Sequence, residues 1–158
     1  MLKIRFVLVL LLVVALNVSG QPFKTAAGLR FGFPYGISVK HFLDRDDAVE
    51  FVAAANLRGF IISALFENEH ETGLEPRLYW YWGLGVHAGV IDASRTPYLY
   101  SREEYAGPVI GVDALIGLEY VFRNIPLNLS FDILPSINLG GYTGWNGLNT
   151  AISVRYVF

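Results

Sequence analysis

The side chain best suited to proton transfer is His87, in the stretch Gly85-Val86-His87-Ala88-Gly89. As a catalytic base it would need a serine nucleophile within reach and a carboxylate to orient the ring. No His-x-Ser pairing stands beside it. Ser38, Ser63, Ser130, Ser136 and Ser153 share its face in the register derived below, but the sequence places none of them next to it. A histidine satisfied by polar neighbours inside the fold is therefore expected. Glu67, Glu69, His70 and Glu71 form a second chemically capable group. On a strand, alternation sends Glu67 and Glu69 to one face and His70 to the other, so they cannot converge as rigid metal ligands. No metal or other cofactor is expected. The chain has no cysteine, which excludes disulfides, thiolate chemistry, cysteine-based zinc clusters and lipid attachment at cysteine. In Ile91–Gly107, Tyr98, Tyr100 and Tyr105 are interspersed with Arg95, Arg102, Glu103 and Glu104, a composition suited to contact with a protein or glycan, although a mobile solvated loop is the more usual meaning of such a stretch. Asn128-Leu129-Ser130 matches a glycosylation sequon but lies in the middle of a strand pattern, and is discounted.

These residues sit in a chain of 158, of which 53% are hydrophobic, 15% aromatic and 16% charged. That length gives one domain, and the apolar content excludes a disordered tail. A formal charge of −2 offers no basic face for phosphates, so no nucleic-acid partner is expected. Residues 1–20 read MLKIRFVLVLLLVVALNVSG: Lys3 and Arg5, then the apolar run Phe6–Leu16, then Val18-Ser19-Gly20. The run is too short to cross roughly 30 Å of hydrocarbon as a helix. It predicts a signal peptide, cleaved near Gly20/Gln21, and an exported domain over residues 21–158.

The exported part alternates with a period of two. In Leu127–Gly140, Leu127, Leu129, Phe131, Ile133, Pro135, Ile137 and Leu139 share one face, while Asn128, Ser130, Asp132, Leu134, Ser136 and Asn138 share the other, with only Leu134 breaking the polar set. Similar alternation runs through Ala27–Phe33, Gly36–Leu43, Ala48–Ala55, Gly59–His70, Leu78–Val90, Val109–Phe122 and the C-terminal Ala151–Phe158. Eight strands result, with no helix-period segment between them. Asp44–Asp47, Asn56–Gly59 and Arg123–Pro126 carry turn chemistry.

The faces indicate the solvent. The apolar sets are large and continuous, and the opposite sets are glycine, serine, asparagine and single charges. Only three lysines occur in the chain, one of them in the leader, which would leave a water-facing surface poorly solvated. A transmembrane barrel turns the apolar set outward and the polar set inward. Eight strands of about 9–11 residues fit the available length. Trp80, Trp82, Tyr120, Phe122, Tyr156 and Phe158 fall at one rim, and Phe33, Tyr35 and Phe60 near the other, as interfacial girdles require. The fold expected is all-β: an eight-stranded antiparallel up-and-down transmembrane β-barrel. Its lumen would hold Arg30, Lys40, Glu50, Glu67, His87, Asp113, Glu119, Asp132 and Arg155. A barrel of this size is just wide enough for side chains to fill it. A packed ion-pair network is expected there, the alternatives being a narrow gated ion path or a small polar ligand pocket.

The segments GLRFGFPYGISVKHFL, RGFIISALFENEHE, YWYWGLGVHAG, VDALIGLEYVFRNIPLNLSFDILPS and the ending SVRYVF give the chain its resemblance to the small eight-stranded outer-membrane β-barrels of Gram-negative bacteria, in the size class of OmpX and the OmpA barrel domain. The resemblance spans the whole exported part. Val154, Tyr156 and Phe158, at alternate positions up to the terminus, are similar to the C-terminal signal read by the barrel-assembly machinery. The resemblance implies a periplasmic C-terminus. Counting back, Asp44–Asp47, Glu71–Arg77 and Arg123–Pro126 become periplasmic, while Pro34–Gly36, Asn56–Arg58, Ile91–Gly107 and Gly141–Leu148 become extracellular.

The function expected is non-enzymatic: a monomeric structural or surface-interaction protein of the bacterial outer membrane. Its partners would be outer-membrane lipids, the assembly machinery during insertion, and an unidentified extracellular partner at Tyr98, Tyr100, Arg102 and Tyr105. The runner-up is a lipid-modifying barrel enzyme, of the lipid A deacylase or acyltransferase type, using His87. A soluble secreted barrel carrying an apolar ligand comes third.

Overall fold

A computed structural model describes residues 24–56, 59–92, 105–141 and 143–158. The expected signal peptide lies outside the described residues. Eight strands follow one another: β1 Thr25–Phe33, β2 Tyr35–Phe42, β3 Asp47–Asn56, β4 Gly59–Glu71, β5 Leu78–Asp92, β6 Ala106–Val121, β7 Leu127–Gly140 and β8 Gly144–Val157. Each pairs antiparallel with the next, and β1 pairs with β8 to close the barrel. Closure leaves no free sheet edge. One end carries the turns 43–46, 72–77 and 122–126, called the turn end below. The other carries the 93–105 connection and is called the loop end.

The turns are built as their residues dictate. The Asp44 carboxylate accepts hydrogen bonds from the backbone N–H groups of Asp46 and Asp47, both at 3.2 Å, capping the β2–β3 turn. Arg77 adopts a positive φ of 76° just before β5, and its guanidinium donates to the Phe122 carbonyl at 3.2 Å.

Two connections are shorter than composition suggests. Pro34–Gly36 reads as a loop, yet Tyr35 and Gly36 belong to β2 and pair with Ala55 and Ala54. Gly141–Leu148 also reads as a loop, but β8 begins at Gly144, opposite Asn138. The asparagine and glycine there serve a bulge: the register shifts between Ser136 and Ile137, and Gly147 takes a positive φ of 125°. A bulge at a barrel rim bends the strand and breaks strict alternation, which hides the strand from a period-two reading. The long connection is likewise trimmed, with Ile91 and Asp92 in β5 and Ala106 and Gly107 in β6.

The radial arrangement inverts that of a water-soluble protein. Phe31, Ile62, Val86 and Ile116 are 54%, 52%, 57% and 54% exposed, while Lys40, Glu50, Glu67, Asp132 and Arg155 are 0% exposed. Leaving such a belt in water forfeits roughly 1.5–3 kcal/mol per large side chain. Inside, the lumen is layered. An ionic layer occupies the turn-end half. Above it lies an apolar cluster of Val52, Ala54, Leu65, Tyr81, Leu115 and Leu134. Nearest the loop end is a polar cup.

Candidate functional site

The ionic layer is built from side chains on alternate positions of β1–β8, all turned inward by strand parity. Arg155 on β8 is its hub. Its Nε donates to Ser38 Oγ at 2.8 Å, and its Nη1 donates to Ser130 Oγ at 2.8 Å and to Glu119 Oε2 at 3.4 Å. Its Nη2 pairs with Glu50 Oε1. Lys40 on β2 is the second hub, with Nζ 2.9 Å from Glu67 Oε2 and 3.3 Å from Glu119 Oε2, and paired with Glu69. The same ammonium lies 4.5 Å from the centre of the Tyr81 ring. Asn128 Nδ2 donates to Glu119 Oε1 at 3.0 Å.

Arg30 on β1 grips Asp132 with both guanidinium nitrogens, Nη1 to Oδ2 at 2.8 Å and Nη2 to Oδ1. The Tyr81 hydroxyl adds a bond to Asp132 Oδ2 at 3.2 Å. Fully desolvated charges are tolerable only when paired and hydrogen-bonded in this way.

In the cup, His87 Nδ1 is 2.8 Å from Asp113 Oδ1 and Nε2 is 2.8 Å from Asn138 Oδ1. The ring lies across Gly111: a Cβ at that position would stand 2.5 Å from the imidazole Cε1. Only a residue without a side chain lets the ring pass from β5 over β6 to reach β7. A cavity of about 30 Å³, lined in part by Arg30, Ser63, His87, Asp113, Ser136 and Asn149, opens here. That is room for about one water.

All nine residues expected in the lumen lie inside it, none more than 4% exposed. They do not form one site: Lys40, Glu50, Glu67, Glu119 and Arg155 make the ionic layer, Arg30 and Asp132 border it, and His87 with Asp113 stands apart in the cup. Ser63 is the register partner of His87, a proximity the sequence alone did not reveal. The ring nevertheless extends away from β4 and both its nitrogens are engaged, so Ser63 does not face a free imidazole nitrogen. Glu69 and Tyr81 also belong to the network, beyond the nine residues expected in the lumen. Both share parity with residues already assigned inward, Glu67 and His87, and that signal would have found them.

His70 lies outside the barrel, stacked on Trp80 with ring centres 4.6 Å apart, so it is separated from Glu67 and Glu69 within. Among the described residues no three histidine, cysteine or acidic side chains are grouped as metal ligands. At the C-terminus, Val154 is on the outer face and the rings of Tyr156 and Phe158 meet edge-on with centres 5.1 Å apart. Tyr98, Tyr100 and Arg102 lie outside the described residues. Tyr105 donates its hydroxyl to the Pro108 carbonyl at 2.5 Å, folding back onto β6.

Among solved structures, the chain is similar to the N-terminal β-barrel domain of Pseudomonas aeruginosa OprF, with a TM-score of 0.63 and 17% identity over 89% of this chain and 100% of that one. The fold is that of the OprF barrel. The resemblance to small eight-stranded outer-membrane barrels thus stands at the level of fold. No family model matches the chain, and no curated protein matches it significantly.

Proposed function

We propose that the chain is a non-enzymatic integral outer-membrane β-barrel, monomeric and without a cofactor, serving a structural or surface-interaction role. The observation that carries this reading is the radial inversion: an apolar outer belt around a lumen packed with paired charges. Lipid is the solvent that suits the belt, and the likeness in fold to the OprF barrel domain supports the outer membrane as its location. The leader ending near Gly20/Gln21 provides export. Val154, Tyr156 and Phe158 then serve as the signal for the assembly machinery. Tyr98, Tyr100, Arg102 and Tyr105 belong to the connection offered to an extracellular partner.

The test is expression of the full chain in a Gram-negative host, followed by membrane fractionation. Recovery in the outer membrane as a species whose gel mobility shifts on boiling supports the proposal. Recovery as a soluble periplasmic protein contradicts it. His87→Ala addresses the role of the histidine: loss of a lipid-modifying activity in that variant would overturn the non-enzymatic reading.

A further inference from the structure

Val52 and Ala54 on β3, Leu65 on β4, Leu115 on β6 and Leu134 on β7 are 1–6% exposed and form one contact cluster with Tyr81. β3 and β7 lie on opposite sides of the closed strand order, so the cluster spans the lumen. On the side not covered by these aliphatic groups, the Arg30–Asp132 pair with the Tyr81 hydroxyl completes the layer. The ionic layer lies toward the turn end, and the cup around Ser63, His87, Asp113 and Ser136 toward the loop end.

We infer that this apolar layer, rather than the ion pairs beneath it, is the barrier that closes the lumen. The two layers act differently on a passing cation. The ionic layer contains four carboxylates, Glu50, Glu67, Glu69 and Glu119, against the permanent cations Lys40 and Arg155, while Arg30 and Asp132 neutralise one another at its border. That excess attracts a cation. The aliphatic side chains offer nothing in exchange for a cation's hydration shell, the Asp132 carboxylate beside them is already held by Arg30 and the Tyr81 hydroxyl, and narrow apolar constrictions exclude water and ions by dewetting. A small cation entering from the loop end therefore stops in the cup, above Leu65 and Leu134. The cup is a blind pocket, and the ion pairs serve packing. This inference rests on the membrane-spanning reading.

The absence of native cysteine allows single-cysteine reporters without background. Ser63→Cys reports from the cup. Ser130→Cys reports from below Leu134 on the same strand, and Ser153→Cys, whose native hydroxyl has no hydrogen-bond partner, is a second reporter at the same level. The full barrel is inserted in lipid vesicles with its loop end outward, and silver ion is added outside. Ser63→Cys should be modified at least about 100-fold faster than either lower reporter, since an apolar constriction of this kind excludes hydrated ions. Replacing Leu65 and Leu134 by alanine should expose the lower reporters. Glu50→Gln with Arg155→Met should leave them protected.

A lower reporter that reacts as fast as Ser63→Cys in the otherwise unaltered barrel overturns the inference. So does one that becomes reactive when only the ion pair is removed. A heat-dependent gel shift identifies inserted barrel for each variant. If it is missing even for the unaltered chain, the membrane-spanning reading has failed, not the assignment of the barrier.

Discussion

Arg155→Met tests the energetic logic of the lumen. The substitution keeps most of the side-chain volume and removes the guanidinium that bonds Ser38, Ser130, Glu119 and Glu50. Glu119 retains Lys40 at 3.3 Å and the Asn128 amide at 3.0 Å. Glu50 has no other ion pair among the described residues, and its Oε2 already has no hydrogen-bond partner. The variant thus strands one carboxylate that is 0% exposed. Breaking a buried pair from one side costs about 3–5 kcal/mol. The assay is reversible unfolding in urea from lipid vesicles, followed by heat-dependent gel mobility and far-ultraviolet dichroism. Arg155→Met should lose about 3–5 kcal/mol, while Glu50→Gln/Arg155→Met should recover at least half of it, because no stranded charge remains. A loss below about 1 kcal/mol, or a double variant no more stable than the single one, would refute the claim that the pair is desolvated and mutually dependent.

Gly111→Ala should destabilise by about 1–3 kcal/mol in the same titration, since its methyl group would meet His87 Cε1 at 2.5 Å and the Ile137 carbonyl oxygen at 2.1 Å. Gly140→Ala, which meets only Ile110 Cγ2 at 3.0 Å, should change little. Val86→Lys places a charge midway along the outer face of β5, where a residue 57% exposed would tolerate lysine in water. In vesicles it should cost about 2–4 kcal/mol, and an unchanged unfolding midpoint would argue against lipid on that face. Tyr81→Phe removes the 3.2 Å bond to Asp132 while Arg30 keeps its two-pronged grip, so a loss of about 0.5–1.5 kcal/mol is expected.

Strand parity made most of the architecture legible. Leu127–Gly140 alternates so regularly that β7 begins and ends where the pattern does. The first turn of β8 was not legible, because Gly144 and Gly147 take positive φ and the bulge opposite Ser136 breaks the period of two. Inward direction was readable for Arg30, Lys40, Glu50 and Arg155, but their partners were not. Glu50 and Arg155 are 105 residues apart and meet only because the closed sheet brings β3 and β8 to face a common interior. The link from His87 to Asn138 has a similar cause. It depends on the stagger that sets Gly111 beside His87, a property of barrel closure that local alternation does not encode.

The central claim is that the apolar face of this sheet meets lipid and the polar face is sealed inside. Its most direct test is refolding of the purified chain from Gln21 in detergent micelles and, in parallel, in plain buffer. Strand dichroism and a heat-dependent mobility shift appearing only with micelles are the expected outcome. A soluble, monodisperse β-protein in buffer alone would contradict it.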